Sequence, residues 1–221
     1  MKNVGILISG RGSNMVALLD AMESGAVPAR CALVISNVAE APGLQTALGR
    51  GVETRVISHK DSASREEHDA KVVAALRAAG VEIVCLAGYM RLLSPLFVEA
   101  YRNRVLNIHP ALLPAFPGLH VQQKAIDHGV RFTGCTVHLV DEECDHGPIL
   151  LQAVVPVLPG DSEEALSARI LRYEHRLYPA ALRLLAEEKV VVEGRTARIL
   201  LSREEYLGLI ATLMDTGRET S

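Results

Sequence analysis

The sequence predicts an α/β protein, a Rossmann-like mixed and mostly parallel sheet with helices on both faces. Three observations predict it. Short apolar runs alternate with longer helical patterns through the first half. A glycine-containing turn joins the first apolar run directly to the first helical stretch. Two long apolar runs in the second half are separated only by a short acidic turn, a link too short for a crossover, so those two strands are expected to be antiparallel.

Each element follows from its local pattern. Residues 4–9, 32–36, 54–57, 83–87 and 105–108 read as buried strands, with helices expected over 14–24, 43–50, 64–79 and 95–102. After Pro110 a Pro-rich loop leads into a short helix over 119–128, ended by Gly129. Strands are expected over 132–140 and 149–157. Asp161 with Glu164 then reads as the N-cap and reciprocal partner of a helix running to about residue 187. Residues 190–192 and 197–200 flank Glu193-Gly194 as a hairpin, and Ser202 with Glu205 forms a second capping box. Tyr206, Leu209, Ile210 and Leu213 are expected on one face of the terminal helix. The reading is a catalytic domain over 1–200 with a helical extension over 201–221.

Composition narrows the function classes. The chain has 221 residues, ample for one sizeable core, and its 49% hydrophobic but only 4% aromatic residues predict a core of Val, Leu, Ile and Ala. A formal charge of −3 gives no general attraction to nucleic acid. The run from Val4 to Ile8 lacks the length and cleavage site of a signal peptide, and no stretch approaches the ~20 apolar residues of a membrane span. Cys31, Cys85, Cys135 and Cys144 form no CxxC pair; the first three sit in or beside apolar runs and are expected to be buried reduced thiols, which fits a cytoplasmic protein.

Two segments carry chemistry. Ser9-Gly10-Arg11-Gly12-Ser13-Asn14 closes the first strand and opens a helix, where exposed N–H groups favour an anion such as a phosphate. Neither GxGxxG nor a Walker loop fits, because Met15 stands where the third glycine would be and no Lys-Ser/Thr follows Gly12. Strand five closes with Asn107-Ile108-His109-Pro110; alternation places the amide and imidazole on one side. That pairing suits acyl transfer, an amide donating to a developing oxyanion and an imidazole holding or relaying a proton. A carboxylate from the turn Asp141-Glu142-Glu143-Cys144-Asp145-His146-Gly147 is expected to pair with His109, and spacing alone does not select Asp145 over Asp141. The cluster lacks the paired ligand spacing of structural zinc, so no metal is expected. His138, alternating with Val137 and Leu139, reads as a hydrogen-bonded supporting or core histidine.

Together with residues 36–37, 86–93, 107–114, 134–138, 140–148, Glu174-His175 and Tyr178-Pro179, these segments resemble the glycinamide ribonucleotide formyltransferases, within the folate-dependent formyltransferase family. The motifs stand in the family's order over about residues 3–190. The resemblance implies transfer of a formyl group from the co-substrate 10-formyltetrahydrofolate to the amine of glycinamide ribonucleotide, in purine biosynthesis and without a metal. It implies a catalytic trio of Asn107, His109 and Asp145. Gly12, Ser13, Asn14 and Glu174 would hold the ribonucleotide. Arg65, Met90, Arg91, Leu92, Leu93 and the segment Asp141, Glu142, Glu143, Cys144 and Asp145 would hold the folate. One departure is Leu171, where the family usually carries Lys three residues before the glutamate; Arg172 is turned about 100° away along a helix. His146 also stands where a small residue is common.

The resemblance leaves competitors. A 10-formyltetrahydrofolate hydrolase would be expected to carry a regulatory domain before the glycine loop, yet strand one begins at about residue 3. A methionyl-tRNA formyltransferase would be expected to carry a basic C-terminal domain, whereas the tail is short and of mixed charge. A phosphate-ligand sensor explains the glycine loop but not the convergence of Asn107, His109 and Asp145. The expected partners are thus the two small substrates, with neither nucleic acid nor membrane, and the chain is expected to be a monomer or homodimer.

Overall fold

The computed structural model describes residues 1–214. Strands β1 (Lys2–Ile8), β2 (Ala29–Ser36), β3 (Thr54–Val56), β4 (Ile83–Leu86) and β5 (Val105–His109) pair in parallel, while β6 (Phe132–Leu139) and β7 (Ile149–Pro156) join as antiparallel strands. The order across the sheet is β3-β2-β1-β4-β5-β6-β7. The expected α/β class and mixed sheet are therefore observed. Helices α1 (Ser13–Glu23), α2 (Pro42–Gly49), α3 (Arg65–Ala78), α4 (Pro95–Ala100), α5 (Val121–Asp127), α6 (Glu163–Ala186) and α7 (Arg203–Met214) complete the layers. β8 (Val190–Glu193) and β9 (Thr196–Ile199) form a separate hairpin. A short 3₁₀ turn over His59–Asp61 has no apolar periodicity and was not legible in the sequence.

Strand alternation feeds two cores, one on each face of the sheet. Ile6, Ile8, Val34, Cys85 and Leu106 pack with Leu18 and Leu19 of α1 and Ile170, Leu177 and Tyr178 of α6. Leu7, Leu33, Ile35, Val84 and Val105 point the other way, against Val72 and Leu76 of α3 and Phe97 of α4. Burial on both sides is why these strands read as continuous apolar runs rather than alternating ones. The Tyr178 hydroxyl, fully buried, lies 3.0 Å from the Leu86 carbonyl and 2.9 Å from that of Leu106, so α6 is tied to the ends of β4 and β5. Tyr178 thereby satisfies its own polar atom inside the core.

Three local expectations need correction. Ser162, not Asp161, caps α6, its hydroxyl accepting from Ala165 N at 3.2 Å. Asp161 instead accepts from Leu158 N at 2.7 Å and takes a forked pair of bonds from Arg169, each 2.7 Å. Tyr206 is 38% exposed, so the packed face of α7 is Leu209, Ile210 and Leu213 only. Cys31 is half-buried rather than buried, with burial still pushing its thiol up to about 12. The capping box of α7 forms as expected, Ser202 Oγ accepting from Glu205 N and the Glu205 carboxylate from Ser202 N. Residues 215–221 of the expected extension lie outside the described residues. No helix among the described residues is long and apolar enough to cross a membrane.

The fork from Arg169 holds the Asp161 carboxyl down at about 2. A depressed carboxyl stabilises the fold above its unfolded value and loses that contribution as pH falls through the folded one. Asp161→Asn is therefore expected to lower the unfolding midpoint at neutral pH, with the deficit shrinking from about pH 4 to about pH 2. Thermal melts across that range check it, and a deficit independent of pH would contradict the ion pair's role.

Candidate active site

The antiparallel pairing of β5 with β6 sets Asn107 opposite His138 and His109 opposite Thr136. Partners directly opposite in a ladder bring their side chains together on one face. The Asn107 amide nitrogen lies 3.1 Å from His138 Nε2, and His138 Nδ1 lies 3.0 Å from the Leu139 carbonyl. A carbonyl only accepts, so Nδ1 carries the proton and Nε2 accepts from the amide. Burial lowers the His138 pKa and so favours the neutral ring, against the opposing pull of the Leu139 carbonyl and Asp145. One N–H of Asn107 is thereby used for orientation, and its second remains for the cleft.

His109 is buried, with Nε2 2.8 Å from the Phe116 carbonyl and Nδ1 3.4 Å from Asp145 Oδ2. Both ring nitrogens thus face oxygen acceptors. Asp145 Oδ1 lies 3.9 Å from His138 Nε2, so the carboxylate sits between the two imidazoles. The structure brings Asn107, His109 and Asp145 together and separates Asp145 from Asp141, whose carboxylate turns to His146 Nδ1 at 2.9 Å. The choice that spacing left open is made by backbone shape. Asp145 takes a left-handed φ of 52°, a conformation that Asp tolerates better than most residues, and Gly118 N donates to its Oδ2 at 2.9 Å. Gly147 lets the turn fold back against β6: a Cβ there would lie 1.9 Å from the Leu139 carbonyl oxygen.

Beside this cluster, β1 runs into α1 through Gly12, whose φ of 71° makes it the N-cap. Ser13 and Asn14, expected to hold the ribonucleotide, lie in the first turn and make no side-chain cap. The Asn14 amide instead donates to Glu174 at 2.7 Å, from α6. Burial raises the Glu174 pKa, and the Asn14 amide pulls it back in part. The Asn14 side-chain amide oxygen, Oδ1, is buried without a hydrogen-bond partner, a state that typically costs about 1–3 kcal/mol and that a ligand donor would relieve. Leu171 is half-buried on α6 and Arg172 exposed.

Ser9 joins the glycine loop to the loop after β4. Its hydroxyl donates to Asn37 Oδ1 at 2.6 Å and accepts from Met90 N at 2.9 Å. In that second loop Met90 is 68% and Leu92 56% exposed, an apolar surface at the cleft, and Arg91 is half-buried with an unpaired Nε. Leu93, expected at the same surface, packs into the core with Phe97 and Val98. Arg65 opens α3, partly exposed, and lies 3.8 Å from Glu66. Glu142, Glu143 and Cys144 are exposed along the acidic turn. Among the described residues no group of three or more His, Cys, Asp or Glu side chains has a metal-holding arrangement.

Sequence reasoning missed four contributors: Ser9, the Phe116 carbonyl, the Gly118 N–H and the contact of His138 with Asn107. The last was recoverable by aligning the two strands in antiparallel register; backbone groups of an irregular loop leave no sequence signal. Long-range 1H–15N spectra across a pH titration are expected to show His138 as the Nδ1–H tautomer when neutral, with a midpoint below the ordinary imidazole value. A midpoint at or above the ordinary value, or the Nε2–H tautomer, would contradict the assignment.

Comparison with known proteins places this geometry. Residues 2–182 match the model of the formyl transferase family. Phosphoribosylglycinamide formyltransferase of Escherichia coli (strain K12) is 40% identical over 195 residues, covering 88% of this chain and 92% of its own. The trifunctional purine biosynthetic protein adenosine-3 of Drosophila pseudoobscura pseudoobscura is 54% identical over 187 residues, 84% of this chain but only 14% of that protein's length. The crystal structure of glycinamide ribonucleotide transformylase 1 from Symbiobacterium toebii superposes with a TM-score of 0.90 at 52% identity, covering 91% of this chain and 95% of that one. The chain belongs to the formyl transferase family.

Proposed function

We propose that the chain transfers the formyl group of 10-formyltetrahydrofolate to the amine of glycinamide ribonucleotide, releasing formylglycinamide ribonucleotide and tetrahydrofolate in de novo purine synthesis. The observation that carries this reading is the meeting of Asn107, His109 and Asp145 at the end of β5, next to the glycine loop. It is supported by relatives named for that reaction. The four cysteines are free, which is consistent with a cytoplasmic enzyme.

In this mechanism the substrate amine attacks the formyl carbon. The free N–H of Asn107 and a proton on His109 stabilise the oxyanion that forms. His109 exchanges the Phe116 carbonyl for that oxyanion, while Asp145 at 3.4 Å holds the ring and assists proton movement through water. Collapse of the tetrahedral intermediate expels N10 of the folate as a secondary amine. Gly12, Ser13, Asn14 and Glu174 hold the ribonucleotide, with the Asn14 amide oxygen supplied with a donor on binding. Met90, Arg91 and Leu92 line the folate side, with backbone of the 141–145 turn reading the pterin ring and Arg65 toward the folate tail. Leu93 acts from behind, by packing the loop onto the core.

Purified protein is expected to consume 10-formyltetrahydrofolate only when glycinamide ribonucleotide is present, followed by folate absorbance. Consumption without the ribonucleotide would indicate a hydrolase instead, and none under either condition would defeat the reading. Removal of an oxyanion donor typically costs roughly 3–4 kcal/mol, so Asn107→Ala and His109→Ala are each expected to lower kcat by at least about a hundredfold. Near-normal kcat in a folded variant would remove that residue from the trio.

A further inference from the structure

The turn that carries Asp145 gathers four carboxylates, Asp141, Glu142, Glu143 and Asp145, within five residues. Their mutual repulsion opposes the compact shape that turn adopts. Part of the opposition is met within the turn, where Asp141 Oδ1 accepts from Glu143 N at 3.0 Å and Oδ2 accepts from His146 Nδ1 at 2.9 Å. Because Nδ1 donates to that carboxylate, His146 Nε2 is left as an acceptor. A guanidinium occupies it: Arg195 Nη1 contacts His146 Nε2, and Nη2 reaches the His146 carbonyl at 3.4 Å. Glu143 Oε2 lies 3.8 Å from the same Nε2.

Arg195 sits at the tip of the β8–β9 hairpin, directly after Gly194, whose φ is 60°. A two-stranded hairpin is marginal alone, but this one is anchored by Val190, Val192, Ala197 and Ile199 against the larger core. Its tip and the acidic turn enclose a cavity of about 360 Å³, lined by Asp145, His146, Gly147, Arg195, Thr196 and Ala197 among others. The Arg195 contacts to His146 join the two walls of that cavity.

We propose that Arg195, acting through His146 and Asp141, is a positioning residue that holds the 141–147 turn in the shape presenting Asp145 to His109. The proposal rests on the formyl-transfer reading for its kinetic consequence only. The contacts form one continuous run from guanidinium through imidazole to carboxylate, and hydrogen bonds in such a run strengthen one another. Arg195 touches no part of the trio in the described contacts; its influence passes through backbone shape.

The test uses the full chain and compares Arg195→Ala, Arg195→Lys, His146→Ala and the Arg195→Ala/His146→Ala pair. In Arg195→Ala, amide exchange over residues 141–147 is expected to quicken severalfold, with residues 105–109 unchanged. Its kcat/KM for the folate donor is expected to fall about tenfold, with KM for the ribonucleotide within about twofold. Arg195→Lys, which keeps the cation but not the fork, is expected to recover part of the loss. The double variant is expected to be no worse than the poorer single variant, the signature of a shared path. Unchanged exchange in Arg195→Ala overturns the proposal, as does faster exchange with unaltered donor kinetics, or full additivity in the double variant. A wild-type protein that transfers no formyl group defeats the functional reading instead, and the exchange comparison then decides this inference alone.

Discussion

The structure depends on one constraint, the reversal of direction between β5 and β6. Five parallel strands deliver their C-terminal ends to one edge, and an antiparallel sixth strand crosses that edge in the opposite sense. Its register sets His138 against Asn107 and ends the strand beside the start of β5, with Leu139 opposite Leu106; the acidic turn that follows folds back so that Asp145 reaches His109. The site is thus a product of topology before it is a product of any side chain.

Satisfying buried polar atoms accounts for much of what surrounds that edge. Tyr178 closes the carbonyls of Leu86 and Leu106, His138 takes its proton geometry from Leu139, and Gly118 and Phe116 offer backbone partners to Asp145 and His109. Buried groups that lack partners are expensive. Among the described residues a few remain open; two of them, the Asn14 side-chain oxygen in the first turn of α1 and Arg91 Nε in the loop after β4, lie in segments read as contacting substrates, while others such as His68 Nδ1, Ser94 Oγ and the Tyr101 hydroxyl do not.

The strands, the long helices and the pairing of Asn107 with His109 were legible because each has a local signature: apolar runs of strand length, helical periodicity with caps, and two polar residues separated by one on a strand. Asp145 had none; spacing did not separate it from Asp141, and it was named only through the family resemblance. The misplaced details share a different origin. Asp161 has the chemistry of a cap but was drawn into a fork with Arg169, eight residues on, leaving Ser162 to cap α6. Leu93 follows Met90, Arg91 and Leu92 in an apolar loop, and only packing against Phe97 and Val98 separates it from them. The contacts made by the loop backbone at Phe116 and Gly118 depend on positive φ at both residues, which a glycine permits but which nothing in a phenylalanine announces. Tertiary competition, not faulty propensity, decides such cases.

Ser9 carries a consequence of its own. A single hydroxyl belongs both to the glycine loop and, through Met90 N, to the loop beyond β4, with Asn37 fixing its direction. Ordering either loop around a ligand therefore spends conformational freedom that the other no longer has to lose. Two ligands seated on opposite sides of that hydroxyl are thermodynamically linked, and whatever factor the first lends to the second, the second returns in equal measure whichever arrives first.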